Sequence, residues 1–564
     1  MRTKITILAT LLLVVTTALF AQTTYTVSSI DDNGAGTLRQ LITDAVQGDS
    51  IVIPADFTIV LGSEIAIAKN LKINGQGATV KVIEPGISNW RIFNIGNTTV
   101  SYIVSLENIK LQGGDVSAKS PAYGGAVFVV QNLDLTMKNC SVTSGKGTYG
   151  GGLHINNATG MTVLLDGCTF SNNTASTSNG GGAAFKGVAI VRNCIFENNK
   201  SGAGGAAFIV YNQATVSHCI FKGNEAAGTY GGAVSNNNTV AGNSTNFDNC
   251  SFISNKSTGA NSTGGFVNVN NKNHVATMTN CTFYNNSGTV AGAIWNRVGY
   301  LTMVNCTLAG NTASTDGGGA LSYLHSTAVS GTSHVKFSQM ILVNNIFAYN
   351  YNSTGIMDIA PFVGANETTV DTGTGATGTN NIVSAQNGTL INLNVPVTFT
   401  YGIDPGNDSP LFLSYTANIN SQKIPVVDIT NNLIPLIPAS IAIGTGIPTF
   451  GDPELVPGLD QRGTIRNNPP SVGSYEFITG NVTDISNVTN KPRSIFFQNV
   501  ASGQLNFISN EQINLAEILD LTGKILLSKT GPVTSISLAN ISAGVYILRF
   551  KTATETYSEK LIVK

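Results

Sequence analysis

The sequence carries little charge and no excess of either sign. Its 30 basic and 31 acidic residues nearly cancel, and charged residues make up 11% of the chain, against roughly 25% in an ordinary globular domain. That balance removes the electrostatic footprint expected of a nucleic-acid binder or of a protein held on an anionic membrane. Tryptophan is scarce, at two residues, and the five histidines (His154, His218, His274, His325 and His334) show no metal-ligand spacing. No Gly-x-Ser-x-Gly elbow, P-loop or dinucleotide fingerprint stands in a convincing context. Stretches of 3.6-residue periodicity, which helical repeats of 25 to 45 residues would need, are missing, as is the Leu/Asn consensus of leucine-rich repeats.

What is abundant is glycine, at 61 residues, with asparagine, serine and threonine filling much of the remainder. A hydrophobic content of 42% and regular Val/Ile/Leu/Phe spacing argue against disorder and for β-structure with many tight turns. The N-terminus reads as a secretory signal peptide over residues 1–21. Arg2 and Lys4 form a short basic region, Ile5 to Phe20 is apolar, and Ala21-Gln22 is a plausible cleavage point. Nothing later in the chain resembles a membrane-spanning helix, so none is expected in the mature protein.

The strongest signal is a repeat. Seven cysteines stand at 140, 168, 194, 219, 250, 281 and 306, in matching contexts such as Gly167-Cys168-Thr169-Phe170, Asn193-Cys194-Ile195-Phe196 and Asn280-Cys281-Thr282-Phe283. Asparagine follows three residues after the aromatic position, at Asn173, Asn199, Asn224, Asn255, Asn286 and Asn311. A Gly-Gly motif before small or apolar residues alternates with it, as in Gly124-Gly125-Ala126-Val127, Gly181-Gly182-Ala183-Ala184 and Gly231-Gly232-Ala233-Val234. Short β-branched and aromatic runs separated by Gly and Asn turns, recurring every 25 to 31 residues, predict one solenoid coil per repeat. The predicted fold is therefore all-β: a right-handed single-stranded parallel β-helix.

Stacked coils lie about 4.8 Å apart, so equivalent side chains form ladders along the axis. The spacing predicts an Asn ladder sharing amide hydrogen bonds and Gly-Gly corners that use the positive-φ freedom of glycine. Asn344-Asn345-Ile346-Phe347 and Glu107-Asn108-Ile109 continue the pattern without cysteine, so the coil does not depend on the thiol. An oxidising compartment permits disulfides. However, the cysteine count is odd, and in-register Cβ atoms near 4.8 Å exceed the roughly 3.5–4.5 Å a disulfide needs. Buried free thiols acting as small apolar core residues are expected.

The paired Gly-Gly-Ala and Phe-x-x-Asn motifs, across about residues 105 to 350, resemble the repeats of chlamydial polymorphic outer-membrane proteins, which are adhesins. Ser29-Ile30-Asp31-Asp32-Asn33-Gly34-Ala35-Gly36-Thr37-Leu38 resembles the opening of bacterial β-helix surface proteins. That resemblance implies a strand and a short helix, here Thr37 to Val46, capping the first coil. Leu459-Asp460-Gln461-Arg462-Gly463, Arg466 and Gly473-Ser474-Tyr475-Glu476 resemble the closing region of choice-of-anchor Q proteins. Pro438 to Gly444 departs from the acidic stretch usual there. Asp460, Arg462 and Glu476 are candidates for a substrate or metal cluster, with a structural ion-pair network the favoured reading.

The last 70 residues change character: charges rise and both repeat motifs stop. Ile518-Leu519-Asp520-Leu521-Thr522-Gly523-Lys524-Ile525, Gly544-Val545-Tyr546-Ile547-Leu548-Arg549 and Lys560-Leu561-Ile562-Val563-Lys564 read as short strands of a small Ig-like β-sandwich. They resemble the type A C-terminal sorting domain of type IX secretion in Bacteroidetes, with Gln498-Asn499-Val500 where the usual Pro-Asn-Pro opening would stand. The resemblance implies the type IX machinery as a partner of residues 495–564 and a surface-attached product. The expected organisation is a signal peptide (1–21), a cap with first coils (22–104) and regular coils (105–350). Irregular final coils (351–478), a linker (479–494) and the sorting domain (495–564) follow.

Hydrolases of the β-helix fold place two or three carboxylates together on adjacent coils as general acid and base. Between Gly113 and Ala320 the acids are Asp115, Asp134, Asp166, Glu197, Glu225, Asp248 and Asp316, at different coil positions. No catalytic residue, metal or cofactor is assigned. Trp90, Trp295, Tyr300, Tyr323, Tyr349 and Tyr351 are candidates to stack on sugar rings, with packing against the coils as the plainer reading. Three functions remain open from sequence. The leading one is an adhesin-like surface protein binding surfaces or glycans. The second is a polysaccharide lyase or glycoside hydrolase with its site between Tyr351 and Phe450, and the third a structural surface component.

Overall fold

A computed structural model of the chain describes residues 22–82, 90–131, 133–156, 161–237, 243–268, 274–297, 299–324, 338–362, 376–383, 397–401, 415–417, 423–425, 434, 436, 442–449 and 455–476 of one compact unit. In a second unit it describes 495–500, 504–509, 512–520, 524–539, 541–542, 544–552 and 556–563. Residues 1–21, expected as a signal peptide, and 479–494, expected as a linker, lie outside these residues, as does most of the segment from 363 to 433.

The first unit is a parallel β-solenoid of about ten coils. One coil illustrates the rest. Leu133–Lys138 forms a first strand with Leu133, Leu135 and Met137 inward. Asn139, in the left-handed region at φ 50°, turns the chain, Cys140 points in, and Ser141–Thr143 forms the second strand. Ser144 makes a second left-handed turn into the short third strand, Lys146–Gly147, and Leu153–Ile155 is the fourth. Asparagine recurs at the first turn because it tolerates positive φ better than other side chains with a Cβ. It is found there at Asn108, Asn139, Asn193, Asn249, Asn280, Asn305 and Asn344, with Gly167 and His218 completing the column.

Three ladders run through the core. Phe170, Phe196, Phe221, Phe252 and Phe283 stack with ring centroids 4.3–5.5 Å apart. The seven cysteines are buried and free. In the later coils Asn345 and Asn381 take the thiol position, Asn345 donating to Asn381 at 2.9 Å. The third ladder is Asn173, Asn199, Asn224, Asn255, Asn286, Asn311 and Asn350. Each amide nitrogen donates to the next amide oxygen at 2.8–3.0 Å, and that same oxygen also accepts the backbone N–H of the previous Asn. The second amide hydrogen reaches back to the preceding coil, as from Asn199 to the Phe170 carbonyl. Every polar atom of a buried amide is thereby paired, which is the condition for keeping it in a core.

The Gly-Gly corners carry the expected positive φ at Gly124 and Gly205, and Gly150 and Gly180 take it in the same column; close approach of stacked coils is a second demand. Gly150, one residue ahead of the Gly151-Gly152 pair, has φ 57°, whereas Gly151 itself does not have positive φ. A Cβ on Gly151 would run into the backbone of Thr174 and Gly181 in the next coil. Glycine is required there chiefly for close approach of stacked coils, with positive φ a neighbouring demand.

The N-terminal end is covered by helix α1 (Leu38–Asp44), whose N-cap Thr37 accepts from the Gln40 N–H and whose Leu38 and Ile42 are buried against the first coil. Capping of this kind satisfies the open end of a solenoid. The second unit is a pair of antiparallel sheets of three and four strands. Leu505 and Ile536 of one pack with Ala516, Ile518, Leu548, Phe550 and Leu561 of the other. That is the small Ig-like sandwich expected.

Candidate functional site

The feature that distinguishes one face of the solenoid from the others is the outer side of the first turn and second strand. Register places Lys110, Ser141, Thr169, Ile195, Ile220, Ser251, Thr282, Thr307 and Ile346 in one row. The left-handed Asn column runs beside it. All of these side chains point away from the core, yet their exposure divides along the axis. Ile195 is 37% exposed, whereas Ser251, Thr282 and Thr307 are buried.

The difference is caused by residues 442–449 and 455–476, which lie over the later coils. Asn280 donates to the Leu459 carbonyl at 2.9 Å and accepts from Arg466 at 2.9 Å. Thr282 donates to Gln461 at 2.6 Å, and Gln461 in turn donates to Ser251 at 2.8 Å. Thr307 accepts the Ser474 N–H at 3.0 Å. At Asn344 one amide grips one peptide residue, accepting the Ile447 N–H at 3.0 Å and donating to the Ile447 carbonyl at 2.9 Å. Val456 packs on Val304 and Val343 beneath this polar layer.

Asp460, Arg462 and Glu476, the candidate substrate or metal cluster in this segment, are consumed in holding it together. Asp460 accepts from the Arg462 and Thr464 N–H groups, the Arg462 guanidinium and the Glu476 N–H. Glu476 accepts from Ser471, Asn467 and Arg466, and both carboxylates are fully buried. Arg462 stacks on Tyr475 at 3.7 Å. With each carboxylate oxygen already accepting two or more hydrogen bonds, the arrangement is a fastener for the segment, with no oxygen facing an open position.

Over the early coils none of the described residues covers the same row. There the structure holds a shallow groove of about 420 Å³ lined by Gln76, Asn108, Lys110, Asn139, Ser141 and Thr169. Asn139 donates to Asn108 at 3.1 Å and Asn108 to Asn74 at 3.2 Å, a chain of amides along the floor. Gly167 interrupts the column, so the Asn139 side-chain oxygen meets no following amide; a Cβ on Gly167 would press against that oxygen. On the rim Lys72 pairs with Glu107 and Arg192 with Asp166, both at 2.9 Å. Burial acts to raise the Glu107 carboxyl, but hydrogen bonds from Lys72 and Ser105 outweigh it and hold it below its ordinary value.

The other sequence candidates are dispersed. Trp90 and Tyr300 are exposed, at 39% and 40%. Trp295, Tyr323, Tyr349 and Tyr351 are buried, in line with the plainer reading of packing against the coils. Trp295 is covered by Val267, Val290 and Ala291, and Tyr349 and Tyr351 lie under the closing segment in a cluster with Ile434 and Val472. His154 and His274 are buried as well. Asp134 accepts the Thr162 N–H, Asp166 pairs with Arg192, and Asp316 accepts from Ser353, so these acids serve separate coils. Among the described residues no group of three His, Cys, Asp or Glu side chains is placed to hold a metal ion. The segment 351–450 is largely outside the described residues. Sequence reasoning missed the groove; the available signal was Gly167 and the Ser or Thr that follows Cys140 and Cys168.

Residues 497–564 match the family of secretion system C-terminal sorting domains. No curated protein matches the sequence. The sorting domain marks a secreted protein of the cell surface or extracellular space, delivered by the type IX secretion machinery. Among the described residues no helix is long and apolar enough to cross a membrane.

Proposed function

We propose that this chain is an adhesin-like protein of the bacterial surface. Its signal peptide is removed, its sorting domain carries it through type IX secretion, and the β-helix is then displayed to contact neighbouring surfaces along its side. The reading assigns export to residues 1–21 and 495–564 and binding to the coils of 22–478. It places the protein among Bacteroidetes surface proteins, with repeats like those of polymorphic outer-membrane proteins and a closing region like that of choice-of-anchor Q proteins. The observation that carries it is the uncovered groove lined by Asn108, Lys110, Asn139, Ser141 and Thr169, in a chain whose sorting domain sends it to the cell exterior. A solenoid that lines up the Asn108 and Asn139 amides with the Ser141 and Thr169 hydroxyls is suited to binding extended polymers, glycans included, through several small polar contacts.

The test is adhesion by the producing bacterium. Cells carrying the intact chain should adhere several-fold more to glycan- or protein-coated surfaces than cells lacking it. Removal of residues 497–564 should abolish both surface display and adhesion. Equal adhesion with and without a displayed chain would overturn the reading.

A further inference from the structure

The molecule itself shows what its outer row can hold. Over the later coils the occupant is a turn-rich piece of polypeptide, seated through both its peptide groups and its side chains. Asn280 donates to the Leu459 carbonyl, Asn344 brackets Ile447 through both N–H and C=O, and Thr307 accepts the Ser474 N–H. An amide side chain that both accepts from and donates to one residue reproduces the pairing a β-strand neighbour would give, so it recognises backbone with little regard to sequence.

The groove over the early coils is built from the same register positions. Asn139 stands where Asn280 and Asn344 stand in later coils, and Ser141 and Thr169 are row-mates of Thr282 and Thr307. Because Gly167 adds no side chain, the Asn139 side-chain oxygen is left facing the groove as an acceptor. The groove also holds what the covered half does not: Lys110 on its wall, and Ile195 exposed in the next coil position of the row.

Deepening the adhesin-like reading, we infer that the groove at Asn108, Asn139, Ser141 and Thr169 binds an extended polypeptide strand of a partner protein, with its backbone on the amides and hydroxyls and an acidic side chain at Lys110. Ile195 receives an apolar side chain further along the strand. Carbohydrate is the competing occupant, because sugar hydroxyls can also use amides. The intramolecular precedent, in which polypeptide occupies this row and the Asn column beside it through peptide and side-chain groups together, favours peptide.

The experiment uses the full secreted chain against two probe sets: immobilised linear 15-residue peptides, acidic, neutral and basic, and a glycan array. Acidic peptides with an apolar residue should be retained. Asn139→Gly, which keeps the left-handed turn while removing the amide, and Thr169→Ala should each weaken that binding by roughly tenfold. Lys110→Glu should shift preference from acidic to basic peptides, a readout that misfolding would not produce. Lys200→Ala, on the third strand, should leave binding unchanged. If glycans bind and Asn139→Gly removes that binding, the groove belongs to carbohydrate; the peptide inference fails while the adhesin-like reading stands. If peptides bind but none of the groove variants alters it, the placement is wrong. If neither probe set binds, both the inference and the reading beneath it fall.

Discussion

Asn350 ends the inner amide ladder by donating its side-chain nitrogen to Asp358 at 2.7 Å, while its backbone N–H also points to the same carboxylate oxygen at 3.2 Å. The ladder has a direction, since each amide donates toward the C-terminal coils, so its last member presents donors that no further amide meets. A fully buried carboxylate meets them, as an anion meets the donor end of a helix.

Removing that terminator should loosen the last coils first. Asp358→Ala is expected to lower the hydrogen-exchange protection of the Asn311 and Asn350 amides, while Asp358→Asn, which keeps an acceptor, should largely preserve it. Protection unchanged in the alanine variant would show that the carboxylate does not hold the ladder end.

Mid-ladder, Asn224→Ala strips the acceptor from the Asn199 amide and N–H, leaving buried donors unmet. The expected cost is about 3 kcal/mol. Cys219→Ala, one corner away and equally buried, should cost about 1 kcal/mol, because its thiol makes weak hydrogen bonds and packs as a small apolar group. Denaturant melts of the two variants compare them directly, and equal losses would refute the ladder's larger share.

All seven thiols are buried and free, and burial pushes Cys250 and Cys306 well above the usual thiol range. The native protein should resist alkylation, and the denatured, unreduced protein should take up seven labels per chain by mass spectrometry. A count of one would mean that the cysteines pair.

Acid should weaken the fold through two histidines. Burial pulls His274 down to about 4. Burial, aided by Lys186 and Arg91, takes His154 to about 3. Among the described residues neither ring nitrogen of either has a hydrogen-bond partner. In the unfolded chain such rings protonate near 6.5, so between that pH and 3–4 the unfolded state binds more protons. Stability is then complete above about pH 6.5 and falls as pH drops, by on the order of 1 kcal/mol per pH unit per ring. Urea midpoints at pH 7, 5.5 and 4.5 should decline, and His274→Leu should flatten the decline; a flat wild-type profile would contradict the account.

The coil was legible because its requirements repeat. Cys, Phe and Asn keep fixed offsets from a left-handed turn, and each names its own position in the cross-section. The seating of residues 455–476 was not, because it joins unlike segments: Gln461 meets Ser251 and Ser474 meets Thr307 across 210 and 167 residues, with no periodicity to announce the pairing. Which of packing or exposure applies at Tyr323, Tyr349 and Tyr351 is hidden in the sequence for a related reason. They share the residue type of exposed stacking aromatics, and only the tertiary fold shows Tyr323 turned inward and the other two beneath the closing segment.

That segment depends on its buried ion pairs. Glu476→Ala leaves Arg466, itself nearly fully buried, without its direct counter-charge, at an expected cost of about 3–5 kcal/mol. Limited proteolysis should then cut within 455–476 while the early coils stay intact. Resistance equal to the wild type would show that the network does not secure the segment.

The central claim is that the displayed β-helix binds and does not transform its ligand. The most direct measurement titrates the purified full chain against whatever probe retains it. The same mixture is then assayed for reducing ends, unsaturated sugar products and peptide fragments. Saturable binding with the ligand recovered intact is the predicted result. Turnover of any bound polymer would contradict the account and make the chain an enzyme.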